Sequence, residues 1–92
     1  MEKRESVVYQ RTRAADKTLP ALTYCLLESR VDGRCSFSIC CRGAEAGALY
    51  EREAFVRDVT SEREVARRLV DLLYEGVVTP YALAETVTEW LG

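Results

Sequence analysis

The chain has no histidine, a single tryptophan and only two prolines among its 92 residues. Without an imidazole, the commonest general base, the usual partner of a catalytic cysteine and the usual companion of cysteine at zinc are all missing. There is no excess of positive charge either. Thirteen basic against fifteen acidic residues give a formal charge of -2, which supplies no net attraction for nucleic acid or an anionic membrane. Charge-free runs are too short to span a bilayer, and Met-Glu-Lys-Arg-Glu at the amino terminus leads into no apolar signal core. No membrane partner is expected, and the expected address is cytoplasmic. No repeat or low-complexity stretch interrupts the chain.

What is present points to folding. Apolar residues make up 48% and charged residues 30% of the chain, a balance typical of soluble globular proteins. A chain this short supports one hydrophobic core, so residues 1–92 read as a single small domain. Charge is unevenly spread. Residues 1–34 hold seven basic and five acidic residues, and residues 35–92 hold six and ten. A basic partner surface would meet the carboxyl-terminal half first.

The first half alternates in the manner of strands. Val7 to Thr12 reads as a first strand whose pairing face is open. A connection follows, with Asp16-Lys17 as the reversal and Pro20 at a strand edge, and Leu22 to Val31 is the second strand. Asp32-Gly33 is the strongest local signal, because a two-residue hairpin needs positive φ at its centre. That turn pairs Leu26 with Ile39, Tyr24 with Cys41 and Glu28 with Phe37 on one face. Thr23, Cys25, Leu27, Ser36, Ser38 and Cys40 take the other. The first set is bulkier and is assigned to the core. Gly43 to Gly47 offers a further turn, and Leu49 to Val56 a fourth, charged edge strand.

From Thr60 the period becomes helical. Ser61 and Glu64 form a capping-box pattern, Val65, Leu69, Leu72 and Leu73 an apolar stripe, and Gly76 a left-handed cap. Thr79 then caps a second helix with Pro80 in its first position, and Leu83, Val87, Trp90 and Leu91 form its buried stripe. The expected fold is α+β: an antiparallel four-stranded β-meander followed by an αα-hairpin packed on one sheet face, in two layers.

Candidate chemistry is sparse. Cys25, Cys35, Cys40 and Cys41 lack paired Cys-x-x-Cys turns, and the adjacent Cys40 and Cys41 point to opposite strand faces, so reduced thiols are expected and no metal. Cys25 faces Cys40 and could bridge to it if that pair is not hydrogen-bonded. Glu51 with Glu53, and Glu85 with Glu89, read as solvated pairs, so no catalytic residue and no cofactor is assigned. The segment 76–92 has no lysine or arginine, which speaks against a groove-reading helix-turn-helix. A weak basic group, Arg11, Arg13 and Lys17, is the candidate nucleic-acid contact. Cys25, Leu27, Tyr81, Trp90 and Leu91 are the candidate protein-interaction residues, with core closure the competing role for Trp90.

Several segments together, Tyr24-Cys25-Leu26-Leu27-Glu28, Ser36-Phe37-Ser38-Ile39, Val56 to Ser61, Leu69 to Leu73, and Val78 to Leu83 leading into Trp90-Leu91, give a nearly full-length resemblance. The chain resembles a family of small clostridial and related Firmicutes proteins catalogued as domain of unknown function 6514. The resemblance implies a cytoplasmic bacterial protein with strands first and a helical pair last, and it carries no assigned chemistry. Relatives often place a histidine two residues after the Thr-Pro step, where this chain has Ala82. The expectation is a noncatalytic interaction or regulatory domain, binding an unidentified protein or a second copy as a homodimer. The alternative is a nucleic-acid accessory protein.

Overall fold

Asp32 and Gly33 both adopt positive φ, 52° and 75°, and turn the chain back on itself as the two-residue hairpin requires. The structure, a computed structural model, describes residues 4–15, 21–44 and 51–91, with Ala44 and Glu51 placed by their backbone. Strands β1 (Arg4–Arg13), β2 (Leu22–Val31), β3 (Arg34–Ala44) and β4 (Glu51–Thr60) precede helix α1 (Arg63–Glu75). A 3₁₀ turn (Pro80–Ala82) then leads into helix α2 (Leu83–Leu91). The sheet is an antiparallel meander in the order β1-β2-β3-β4. The expected Asp16-Lys17 reversal lies outside the described residues. The expected turn from Gly43 is displaced, because β3 continues to Ala44 and the rest of that turn lies outside them as well.

The hairpin register is the one the Asp-Gly turn dictates: Leu26 faces Ile39, Tyr24 faces Cys41 and Glu28 faces Phe37. Leu22, Tyr24, Leu26, Phe37, Ile39 and Cys41 are buried beneath the helices, against Ala66, Leu69, Val70 and Leu73 of α1 and Leu83 and Val87 of α2. The Tyr24 hydroxyl donates to the Val78 carbonyl at 2.7 Å, which ties the interhelix segment to the sheet.

Both edge strands are longer than expected, and each carries a bulge. In β1 the register slips at Val8, so Val7 faces Leu27 on the open face while Tyr9 faces Leu26 on the core face. In β4, Val56 faces Ile39 and Thr60 faces Phe37, which leaves residues 57–59 opposite Ser38 alone. Asp58 sits there at φ 52°, its amide donating to the buried Ser38 hydroxyl at 3.0 Å and its carboxylate accepting from Ser36 at 2.7 Å. Ser38 therefore satisfies a backbone amide at the bulge, and Ser36 anchors the Asp58 side chain beside it.

Thr79 makes no side-chain cap bond and Pro80 opens a 3₁₀ turn, so α2 itself starts at Leu83 and not at Pro80 as expected. Three details of α1 also differ from the expectation. Glu62, not Ser61, is the N-cap of α1 and makes no side-chain cap bond; instead its own amide donates to Thr60 Oγ1. The buried stripe is Ala66, Leu69, Val70 and Leu73, with Val65 and Leu72 partly exposed. The 3.6-residue period selects Ala66 over its bulkier neighbour, and a small residue lets the helix lie close to the sheet. The left-handed residue at the end of α1 is Val77, at φ 51°, while Gly76 stays right-handed. Val78 N donates to Leu73 O and Val77 N to Tyr74 O, a Schellman arrangement with valine where glycine is usual. A Cβ on Gly76 would lie 3.2 Å from the Leu72 carbonyl, so glycine there serves close approach.

Candidate functional site

The titratable groups on and around the sheet are already engaged with one another. Glu28 accepts from Arg30 Nε at 3.1 Å and Cys35 Sγ at 3.2 Å through one oxygen, and from Arg63 Nη2 at 2.8 Å through the other. These donors hold its carboxyl below the usual range, the Cys35 and Arg30 bonds foremost. The same bond raises the Cys35 thiol, because the carboxylate favours the protonated sulfur. Cys41 lies under the helices, donates to the Val78 carbonyl at 3.6 Å, and burial pushes it up to about 12. Burial likewise lifts Cys25, and lifts Cys40 to about 11. All four thiols are free and chemically muted, since the thiolate is the reactive form. Among the described residues no three cysteine, aspartate or glutamate side chains converge as metal ligands.

Cys25 does face Cys40, as the turn implied. Counting outward from the hydrogen-bonded Val31–Arg34 pair that flanks the two-residue turn makes 25 and 40 another hydrogen-bonded pair. Cβ atoms in such pairs stand wider apart than a disulfide accepts. Cys25 instead donates to Gln10 at 3.5 Å.

Two members of the expected basic group, Arg11 and Arg13, are turned toward α1. Arg11 lies 3.8 Å over the Tyr74 ring and binds Asp71 at 3.1 Å, and Asp71 also accepts from the Tyr9 hydroxyl at 2.6 Å. Arg13 donates to the Tyr74 carbonyl at 3.4 Å. Both guanidiniums serve to fasten β1 to α1, and Lys17 lies outside the described residues. Arg67, 4.5 Å over the Tyr9 ring, adds a third such contact. The sequence could not reveal this, because Tyr74 and Asp71 are some 60 residues away from the arginines.

The five candidate interaction residues separate into two groups. Cys25 and Leu27 are 6% and 9% exposed and pack with Cys40, so they are no accessible patch, contrary to the expectation. On that face Val7 stands opposite Leu27 and Phe55 opposite Cys40, and Arg57 Nη1 donates to both Glu5 oxygens at 2.9 and 3.1 Å. Glu5 and Arg57 belong to opposite edges of a four-stranded sheet, roughly 14 Å apart if flat, so their long side chains reach toward each other across the open face to meet. The edges themselves are charged and bulged, which discourages strand addition.

The second group is open. Tyr81 is 84% exposed, Leu91 48% and Trp90 41%. The last two were expected to extend the buried stripe. They fail to because α2 meets mainly β4, and only Leu83 and Val87 of the helix reach the fully buried core. No side chain of Tyr81, Glu85, Glu89, Trp90 or Leu91 makes a hydrogen bond, ion pair or ring contact with another described residue. Ala84, Glu85, Thr88 and Glu89 border an open depression of about 460 Å³.

A second cleft, about 520 Å³, lies at the β2–β3 turn and is lined by Ser29, Val31, Asp32, Arg34, Cys35, Ser36 and Asp58. Within it Asp58 is held by Ser36 and Cys35 by Glu28, while the buried Ser29 hydroxyl has no hydrogen-bond partner among the described residues. Among the described residues no helix is long and apolar enough to cross a membrane.

No curated protein and no solved structure matches the chain. Residues 3–92 do match one family, described as a family of unknown function, DUF6514, and over that span the chain belongs to it.

Proposed function

We propose that this chain is a noncatalytic interaction domain, acting in the cytoplasm, that docks onto another protein through the outward side of its 3₁₀ turn and α2. The observation that carries this reading is the exposure of Tyr81 and Leu91 along one side of a short helical unit whose polar side chains have no role in the fold, with Trp90 half-exposed in line with the buried Leu83. Aromatic and large aliphatic side chains in water are costly to leave without purpose when grouped, and aromatics anchor interfaces. The muted thiols support the noncatalytic part, as do Glu28 and Asp71, whose carboxylates are already engaged by Cys35, Arg30 and Arg63 and by Tyr9 and Arg11.

Site-specific photo-crosslinking in cells expressing the chain tests it. A photoreactive phenylalanine at position 81 is expected to give discrete protein adducts, and the same group at Thr12 on the sheet is expected to give none. An adduct of twice the chain mass identifies a second copy as the partner. Equal labelling from both positions, no labelling from 81, or reproducible turnover by the purified chain would overturn the reading.

A further inference from the structure

The outward side of α2 has an order of its own. Tyr81, Ala84, Thr88 and Leu91 are spaced three, four and three residues apart, the interval of a coiled-coil seam. Side chains three apart eclipse in a 3₁₀ turn, which brings Tyr81 into line with Ala84. At about 100° per residue the four share one line, about a quarter turn round from the buried Leu83–Val87 line. Tyr81, Ala84, Thr88 and Leu91 are all exposed. Large side chains stand at the ends of the line and small ones in the middle, where the open depression lies. That profile accepts a bulky knob from a facing helix. Beside it, on the side away from the core, Glu85 and Glu89 form a row one turn apart, without cationic partners among the described residues. The segment from Gly76 onward contains no base at all.

Resting on the reading of this side as a docking surface, we infer that its partner is an amphipathic helix of another protein, presenting a leucine-like seam flanked on one side by lysine or arginine. Two independent features select that chemistry. The seam spacing suits a helix over an extended strand, and the acidic row rewards a basic flank while repelling an acidic one or a phosphate backbone. The contact spans only about 15 Å of helix, so the complex is a weak and exchangeable one, on the order of micromolar.

The test uses the whole chain and three synthetic helical peptides of equal length and apolar content. One has a leucine seam with lysine flanks, one the same seam with glutamate flanks, and one the lysine composition with the seam scrambled. Titration calorimetry is expected to show binding of the lysine-flanked helix alone, weakening with salt. In the Glu85→Lys, Glu89→Lys chain the preference is expected to pass to the glutamate-flanked helix, a change of about tenfold or more for each peptide. Ala84→Gln, which fills the depression and keeps helix propensity, is expected to weaken binding about tenfold with circular dichroism unchanged. Equal binding of the lysine and glutamate helices, binding of the scrambled peptide, or no reversal in the charge-swapped chain would overturn the partner assignment. Position-specific crosslinking from residue 81 without a basic-helix preference would leave the docking surface standing and refute only its partner. Association of the chain with itself in place of the peptides would likewise replace the partner named here.

Discussion

The two helices rest on the same sheet but are held in different ways. Helix α1 has an apolar underside and, around its rim, a ring of directed contacts: Arg11 and Tyr9 on Asp71, Arg67 on the Tyr9 ring, Arg63 on Glu28, and Arg13 on the Tyr74 carbonyl. Helix α2 has Leu83 and Val87, and Pro80 just before it, in the core and no side-chain polar tie to the described sheet. On α1 the charges of Arg63, Arg67 and Asp71 are spent on structure, whereas neither charge on α2, Glu85 or Glu89, has a partner among the described residues. The difference teaches that a count of charged residues says little about function until each has been assigned a partner. Arg11 and Arg13 fasten β1 to α1, and Glu85 and Glu89, which read as ordinary solvated surface, are left without a partner among the described residues.

The largest effect should come from the undersides. Leu73→Ala removes a fully buried side chain between α1 and the sheet and should cost about 2–5 kcal/mol, read as a lowered midpoint of one cooperative denaturant transition. Leu83→Ala removes an equally buried side chain from α2. With no rim of polar ties, its loss should first appear as faster hydrogen exchange confined to α2, ahead of global unfolding. Equal exchange in the two helices would erase the distinction between them.

Acid should also separate the helices. The carboxyls of Glu28 and Asp71 are both held low, by bonds from Cys35 and Arg30 in one case and chiefly by the Tyr9 hydroxyl in the other. A group with a depressed folded value contributes stability that is complete above its unfolded value, about 4, and is lost as pH falls through the folded one. Stability is therefore expected to be level through neutrality and to decline below about pH 4. Glu28→Gln with Asp71→Asn should lower the neutral plateau and flatten that acid limb, measured by urea denaturation across pH. Glu85→Gln with Glu89→Gln should leave both unchanged.

A smaller, kinetic effect distinguishes the sheet faces under the same helices. Cys41, pushed up to about 12 beneath them, and Cys40, pushed up to about 11 on the open face, should both resist alkylation at neutral pH in the native chain. Cys35, half-exposed, should be modified first, at a rate below that of a free cysteine because Glu28 holds its proton. Peptide mapping after timed iodoacetamide treatment gives the order, and rapid labelling of Cys41 would contradict the core assignment.

Much of this fold was legible in the sequence because the informative signals were local. Asp32-Gly33 set the hairpin and, with it, the whole β2–β3 register and the core role of Tyr24, Leu26, Phe37 and Ile39. The bulges were not legible, since the one in β4 depends on Ser38 and Ser36 meeting Asp58 twenty or so residues away. The α1 stripe was misplaced by one position where Val65 outweighed Ala66 on hydrophobicity alone. At the candidate site, composition flagged Tyr81, Trp90 and Leu91, but whether they closed the core depended on how far α2 overlaps the sheet. Cys25 and Leu27 failed as candidates for the converse reason: their burial with Cys40 depends on neighbours on other strands.

The account stands on the outward side of α2 contributing nothing to the fold. Equilibrium denaturation of the Tyr81→Ser, Glu89→Lys chain measures that directly. Its unfolding free energy should stay within about 0.5 kcal/mol of the original, as for surface positions without partners. A loss of several kcal/mol, comparable to that of Leu73→Ala, would show that these side chains hold the domain together and are not kept for a partner.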